Sequence, residues 1–345
     1  MVTAEKSRID CRHIDVLDGI RAVSVIIVLI FHFWQQTWIF PVIKTPWLAS
    51  VGITKIDFSN FATVGYLFVD MMVLISGFLL FLPLMRSIIL GEEMSSWKNY
   101  ARRRIARIVP SYYFAVLLLF FASALPTGAY ATTADALKDL FAHLTFTQTL
   151  WVNTYIATPL DVVLWTVAIE VWFYVLFPFV AEFIKGPRNK NRQSFTPAYG
   201  IFFIFAVFNI INYVYTENFV LKGNVYLAMR INQFPAFLGV YSIGMLGASA
   251  FVLIAKNCRR SRIFNAVNTL FSVCSILLIV YLINDCVATQ ERQVWQVTER
   301  SKLAFVFMIF IITTALSSKW YRWLFSNKFM RFLSGISYNL YIWHQ

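Results

Sequence analysis

Stretches of about twenty residues with almost no charge recur from one end of this chain to the other, and a run of that length can cross a ~30 Å hydrocarbon core as a helix. Two of them are VLDGIRAVSVIIVLIFHFW and YLFVDMMVLISGFLLFLP. Hydrophobic residues make up 59% of the 345 residues and charged ones 14%, against roughly 25% charge in an ordinary soluble domain. A soluble fold cannot hide that much apolar surface. The expected fold class is all-α, a polytopic transmembrane helix bundle of about nine to ten membrane helices.

Apolar segments fall near 17–35, 61–84, 105–125, 160–183, 198–215, 234–255, 264–284, 303–317 and 332–345. Basic residues gather in alternate connections: Lys6, Arg8 and Arg12; Arg86 through Arg104; Lys185, Arg188, Lys190 and Arg192; Lys256, Arg259, Arg260 and Arg262; Lys319, Arg322, Lys328 and Arg331. The positive-inside rule then places the N-terminus in the cytoplasm. Topology accounts for the net charge of +13 better than a nucleic-acid partner does. Asp18 and Arg21 at the start of the first run argue against a removable signal peptide. Residues 1–16 read as a short cytoplasmic segment and 17–345 as one transmembrane domain. Its last segment, 332–345, rises only ~21 Å at 1.5 Å per residue and reads as short or cut off. Cys11, Cys258, Cys274 and Cys286 form no Cys-x-x-Cys pair; they read as packing residues, with no metal site expected.

Ionisable groups inside spanning helices are costly, which makes each a functional candidate. On the first helix Asp18, Arg21 and His32 share one stripe, and fourteen residues of rise put His32 ~21 Å beyond Asp18. A neutral imidazole there can take up a proton near neutral pH. Arg104 and Arg107, one turn apart, suit bidentate grip of phosphate; Arg102 and Arg103 read as topological charge. Ser95 or Ser96 is the expected N-cap of that helix, and Pro110 is expected to kink it or unwind it locally.

Glu170 is the one acid in the middle of LWTVAIEVWFYVLFPF, with Thr166 and Tyr174 a turn away on either side. Asp70 lies in the second run, where Ser76 and Gly77 serve equally well as site or as close-packing residues. The stretch 134–150 has the spacing of an amphipathic surface helix, on which His143 reads as an interfacial polar residue. Trp34, Trp38 and Trp151 fit an interfacial aromatic belt better than a sugar-stacking platform.

Five blocks in order, LDGIRAVSVIIVLIFH, FVDMMVLISGFLL, RRRIARIVPSYY, LWTVAIEVWFYVLFP and SYNLYIWH, give a sequence that resembles the membrane-bound acyltransferase type 3 family, which includes bacterial O-acetyltransferases of surface polysaccharides. The resemblance implies that His32 is the family's essential first-helix histidine, that Arg104 and Arg107 are its paired acyl-CoA arginines, and that Arg21 is a further functional arginine. Asp70, Glu170 and His344 fall in recurrent family blocks, with Asp18, Ser76 and Tyr174 as supporting candidates. Members usually continue beyond the position of His344.

The implied activity is transfer of an acyl group, acetyl in most members, from acyl-CoA to a hydroxyl of a sugar, glycan or lipid-linked acceptor. Acyl-CoA is a co-substrate, no cofactor is held permanently, and the expected location is the multi-pass cytoplasmic membrane of a bacterium. His32 would act as general base or as a transient acyl carrier, with Glu170 or Asp70 orienting the imidazole. The competing reading is a proton-coupled transporter or flippase built on the same His, Glu and Asp residues; it predicts internal repeats, which the sequence does not show.

Overall fold

The computed structural model describes residues 9–186, 197–222 and 226–344. The basic residues Lys6, Arg8, Arg188, Lys190 and Arg192 lie outside the described residues. Helices dominate: α1 Val16–Thr37, α2 Ser59–Thr63, α3 Leu67–Leu90, α4 Trp97–Leu119, α5 Thr133–Leu144, α6 Val152–Tyr155, α7 Trp165–Lys185, α8 Pro197–Tyr215, α9 Leu227–Ile231, α10 Phe234–Asn257, α11 Arg262–Ala288, α12 Arg292–Leu316, α13 Lys319–Ser326 and α14 Lys328–Ile342. Between α1 and α2 a short antiparallel hairpin pairs β1 Val42–Lys44 with β2 Lys55–Asp57.

Local chemistry marks the helix ends. Ser96 accepts from the Asn99 N–H at 3.4 Å, Thr132 from Asp135 at 3.1 Å and Ser261 from Phe264 at 3.0 Å, each satisfying a donor that the first turn leaves unpaired. Trp38 ends α1 in the left-handed region at φ 59°, returning its N–H to the Trp34 carbonyl. The helix is continuous through Pro110, and its ladder widens into a π-turn only at Phe120–Ala124. Arg260 donates to the carbonyls of Ala315, Leu316 and Ser317, neutralising the C-terminal end of α12.

Among the described residues seven helices are long and apolar enough to cross a membrane, and the number rises to eight if the bent pair of α12 with α13–α14 is one span. The chain is therefore a multi-pass α-helical membrane protein. The count falls below the nine to ten expected because segments 303–317 and 332–345 belong to that pair, bent by 116°. Arg292, Glu299, Arg300 and Lys302 occupy the first half of α12, so its apolar part alone is too short to span.

The chain divides into two compact units. The first holds the residues up to Ile75 with Arg259–Tyr341; the second holds Ser76–Cys258 with Ile342–Gln345. In the first, α11 lies along α12, tied by a hydroxyl cluster of Ser272, Thr314 and Tyr321. Gly19 brings α1 against the backbone of α13, where an added Cβ would lie 2.0 Å from the Phe325 carbonyl oxygen. In the second, α10 is enclosed along most of its length and α8 packs on it through Asn209, bonded to Ser242 at 2.9 Å, and Asn212, bonded to the Pro235 and Ala236 carbonyls.

Candidate active site

In the first unit, α1 carries Asp18, Arg21 and His32, all half-buried. Asp18 accepts from Ser334 at 3.3 Å. Towards the other end, His32 Nδ1 lies 3.1 Å from Gln35 Oε1 one turn on. When Nδ1 donates to that amide oxygen, the neutral ring carries its lone pair on Nε2, the tautomer suited to a general base. The neighbouring Phe31 ring meets Tyr66 edge-on at 5.3 Å. Backbone contact at Gly65 is closer still: a Cβ there would lie 2.7 Å from both the Ile27 oxygen and Phe31 Cβ.

Asp70 sits one turn beyond Tyr66 on α3, fully buried, and its Oδ2 accepts from Arg300 Nε at 3.3 Å. Arg300 is itself only 4% exposed. Sequence reading missed it, because the region before segment 303–317 reads as a charged connection and not as the first turns of a buried helix. Around the pair, the Tyr66 hydroxyl lies 3.8 Å from Cys286 Sγ and Trp295 donates to Asp285 at 2.7 Å, so α3, α11 and α12 are pinned at the same end.

The second unit holds the remaining candidates. Ser76 donates its hydroxyl to Glu170 Oε1 on α7. That fixes Ser76 as a polar partner, while the adjacent Gly77 is the packing residue: a Cβ there would lie 3.1 Å from the Tyr241 carbonyl. Thr166 bonds the Val163 carbonyl. The Arg104 guanidinium lies over the rings of Tyr174 at 5.1 Å and Tyr100 at 5.7 Å, and the Tyr100 hydroxyl donates to the Tyr174 carbonyl. Arg107 is exposed, so the two arginines differ in setting although they share a face. Tyr241 is fully buried, stacked on Phe173 with ring centres 3.4 Å apart, within electrostatic reach of Glu170, Tyr174 and Tyr100. Its hydroxyl has no hydrogen-bond partner. Nothing in the sequence distinguishes Tyr241 from fifteen other tyrosines. His344 is half-buried beside Trp343, which meets Phe114 at 5.9 Å.

His143 corrects an expectation. The stretch forms α5, but His143 and Asp139 are 1% exposed and face inward, with His143 Nδ1 3.1 Å from Asp139 Oδ1 and 3.0 Å from the Asp139 carbonyl, while Leu137 and Phe141 point outward. Tyr130 and Thr158 donate to Asp139 Oδ2, and Tyr112 donates to the His143 carbonyl. The polar face of this helix is its inner face, because its partners are hydroxyls of the same unit and not water.

The family described as an acyltransferase domain matches residues 14–345. The chain belongs to the acyltransferase type 3 family. Relatives similar to it include a protein named "Putative O-acetyltransferase" from Staphylococcus aureus (strain COL), 26% identical over 96% of this chain and 50% of that one. Others are a "Putative acetyltransferase" of Acidianus two-tailed virus, 25% identical over 72% of this chain and 65% of its own, and the O-acetyltransferase OatA of S. aureus (strain NCTC 8325 / PS 47), 28% identical over 53% and 28%. The chain spans about half the length of the first of these relatives. No solved structure matches it. In this acyltransferase type 3 domain the block LDGIRA has a structural content, since its Gly19 is what lets α1 touch α13.

Proposed function

We propose that the chain transfers an acyl group, acetyl first among the candidates, from acyl-CoA to a hydroxyl of a sugar, glycan or lipid-linked acceptor. The observation that carries this reading is the His32–Gln35 contact on the first helix of an acyltransferase-family chain. It orients the imidazole through Nδ1, and Nε2 is the nitrogen that serves as base in this reading. Nε2 takes the acceptor's proton as its oxygen attacks the thioester carbonyl. The carbon–sulfur bond then breaks, and the departing thiolate collects the proton from the imidazolium to leave as free CoA. Base catalysis of this kind contributes about 10²–10⁴-fold.

Arg104 and Arg107 hold the CoA phosphates. Arg104 is suited to this by its seat on two tyrosine rings, which leaves the edge of the guanidinium available to phosphate oxygens. Glu170, fixed by Ser76, is a second proton-handling group; its role is to orient or stabilise charge during transfer. The membrane is the cytoplasmic one, with donor phosphates at the cytoplasmic face. Equilibrium binding of acetyl-CoA to the purified protein in detergent tests the reading against a transporter: the acyltransferase binds it and Arg104→Ala/Arg107→Ala does not.

A further inference from the structure

We propose that the hairpin between α1 and α2 is a lipid-binding element that lies in the headgroup layer of the bilayer, its Ile43–Ile56 face toward the acyl chains and its Lys44–Lys55 face toward water. This rests on the chain being a multi-pass membrane protein and is independent of the acyltransferase reading.

The segment from Trp38 to Phe58 exposes ten large apolar side chains, among them Trp38 at 70%, Trp47 and Val51 at 68% and Ile39 at 59%. Neither β1, β2 nor the 3₁₀ turn Pro46–Val51 between them buries a residue. The buried side chain of the hairpin is Thr45, whose hydroxyl and N–H donate to the Ile53 and Thr54 carbonyls, both at 2.9 Å. A two-stranded hairpin without an apolar core is marginal in water, and clustered exposed apolar groups mark an interaction surface.

Position decides what covers it. The 22 residues of α1 rise ~33 Å, enough to cross the hydrocarbon core, and Trp38 caps that helix. Beyond the hairpin, α2 leads directly into α3, the next helix long and apolar enough to span. Both ends of the hairpin are thus tied where spanning helices end. Aromatic rings mark the same level: Trp34 meets Trp38 at 5.3 Å and Phe40 at 6.0 Å, and tryptophan gathers at the membrane–water boundary because its ring is apolar and its N–H polar. The strand register then gives the hairpin two unlike faces. Val42 pairs with Asp57, Ile43 with Ile56 and Lys44 with Lys55. Because successive side chains alternate, Ile43 and Ile56 share one face while Lys44, Lys55 and Asp57 share the other. Lys55 is bonded to Asp57 at 3.3 Å, so the charged face carries the positive charge of Lys44 in excess, suited to phosphate-bearing headgroups. The consequence for α1 is depth: His32 lies six residues before Trp38, ~9 Å along the axis, so the anchor sets how far the imidazole lies below the headgroups.

Labels on two neighbouring residues test this. Ile43→Cys and Lys44→Cys, each in protein whose Cys11, Cys258, Cys274 and Cys286 are replaced by alanine, carry a nitroxide and are placed one chain per nanodisc of phosphatidylethanolamine and phosphatidylglycerol. Access to oxygen, which concentrates in lipid, measured against access to a water-soluble nickel chelate, gives the depth of each label. The proposal expects the label at Ile43 ~5–10 Å below the headgroup boundary, the depth of an interfacial apolar face, and the label at Lys44 at that boundary or above it. Free access of the nickel chelate to both positions, as for a hairpin standing in water, overturns it. Exclusion of both probes from Ile43 marks a face covered by protein, a second copy included, and overturns it equally. If the cysteine-free protein does not fold, the native-cysteine protein decides through Trp47: brominated lipid in the nanodisc is expected to quench wild type by a larger fraction than Trp47→Phe, and equal quenching of the two overturns the proposal.

Discussion

Ser76 donates its hydroxyl to Glu170 Oε1, tying the middle of α3 to the second turn of α7 through an acid set in an apolar run. An ionisable side chain in an apolar run is costly where an apolar one would pack more cheaply, which makes Glu170 a functional candidate. Glu170→Gln keeps the shape and the acceptor oxygen while removing the charge. It is expected to lower kcat by about ten- to a hundredfold with a melting temperature near wild type. Ser76→Ala, which leaves the carboxylate ionisable but less restrained, is expected to cost about 1 kcal/mol of stability and less activity than Glu170→Gln. Steady-state CoA release and thermal unfolding of both variants check the order.

Arg104 and Arg107 predict an asymmetry. Only Arg104 rests on the Tyr100 and Tyr174 rings, and lysine reproduces neither the stacking nor the forked donors. Arg104→Lys is expected to weaken acetyl-CoA binding about tenfold and Arg107→Lys by about threefold or less, as read by isothermal titration calorimetry.

The buried pair Asp139–His143 holds α5 to the rest of its unit. Breaking such a pair from one side leaves a charge without its partner, at about 3 kcal/mol or more. His143→Ala is expected to lower the melting temperature sharply and to open the stretch 126–158 to protease. KM for acetyl-CoA in the protein that stays folded should be unchanged.

Asp161, just before α7, has its carboxyl pushed up to about 6 by burial, against which the Val163 N–H and the nearby His143 pull only partly. Because its folded value is raised above the unfolded one, the folded state holds this proton more tightly. The contribution to stability is greatest at low pH and is lost as pH rises from about 4 through about 6. Asp161→Asn keeps a capping oxygen and removes the titration. The difference in unfolding free energy between variant and wild type should therefore be near zero at pH 4, grow in the variant's favour up to about pH 6 and stay level above, at on the order of 1 kcal/mol.

Gly19 meets the Phe325 backbone so closely that any side chain displaces a helix. Gly19→Ala is expected to cost about 2 kcal/mol or more and to reduce recovery of folded protein, measured by size-exclusion profile in detergent.

These cases also show what the sequence can and cannot state. Spanning helices were legible because lipid allows no polar interruption, and caps such as Ser96 follow from short-range rules. Asp70 and Glu170 were legible as isolated acids in apolar runs. Their partners were not: Arg300 is 230 positions from Asp70, and periodicity is blind to which helix a charge will face. The all-α bundle was legible, and the number of spans came out lower only where α12 begins, since four charged residues in its first half mimic a connection. His143 had a signal that amphipathic spacing masked, namely Asp139 one turn before it, the mark of an i,i+4 pair.

The central claim is that His32 is the base that lets this chain move an acyl group off CoA. The most direct measurement is CoA thiol release from acetyl-CoA by membrane vesicles carrying the protein, compared with vesicles carrying His32→Ala and with vesicles lacking the chain. The account predicts release above background for wild type, and for His32→Ala a loss of at least a hundredfold with acetyl-CoA binding retained. Wild-type rates in His32→Ala, or acetyl-CoA binding lost with His32 rather than with Arg104 and Arg107, would contradict it.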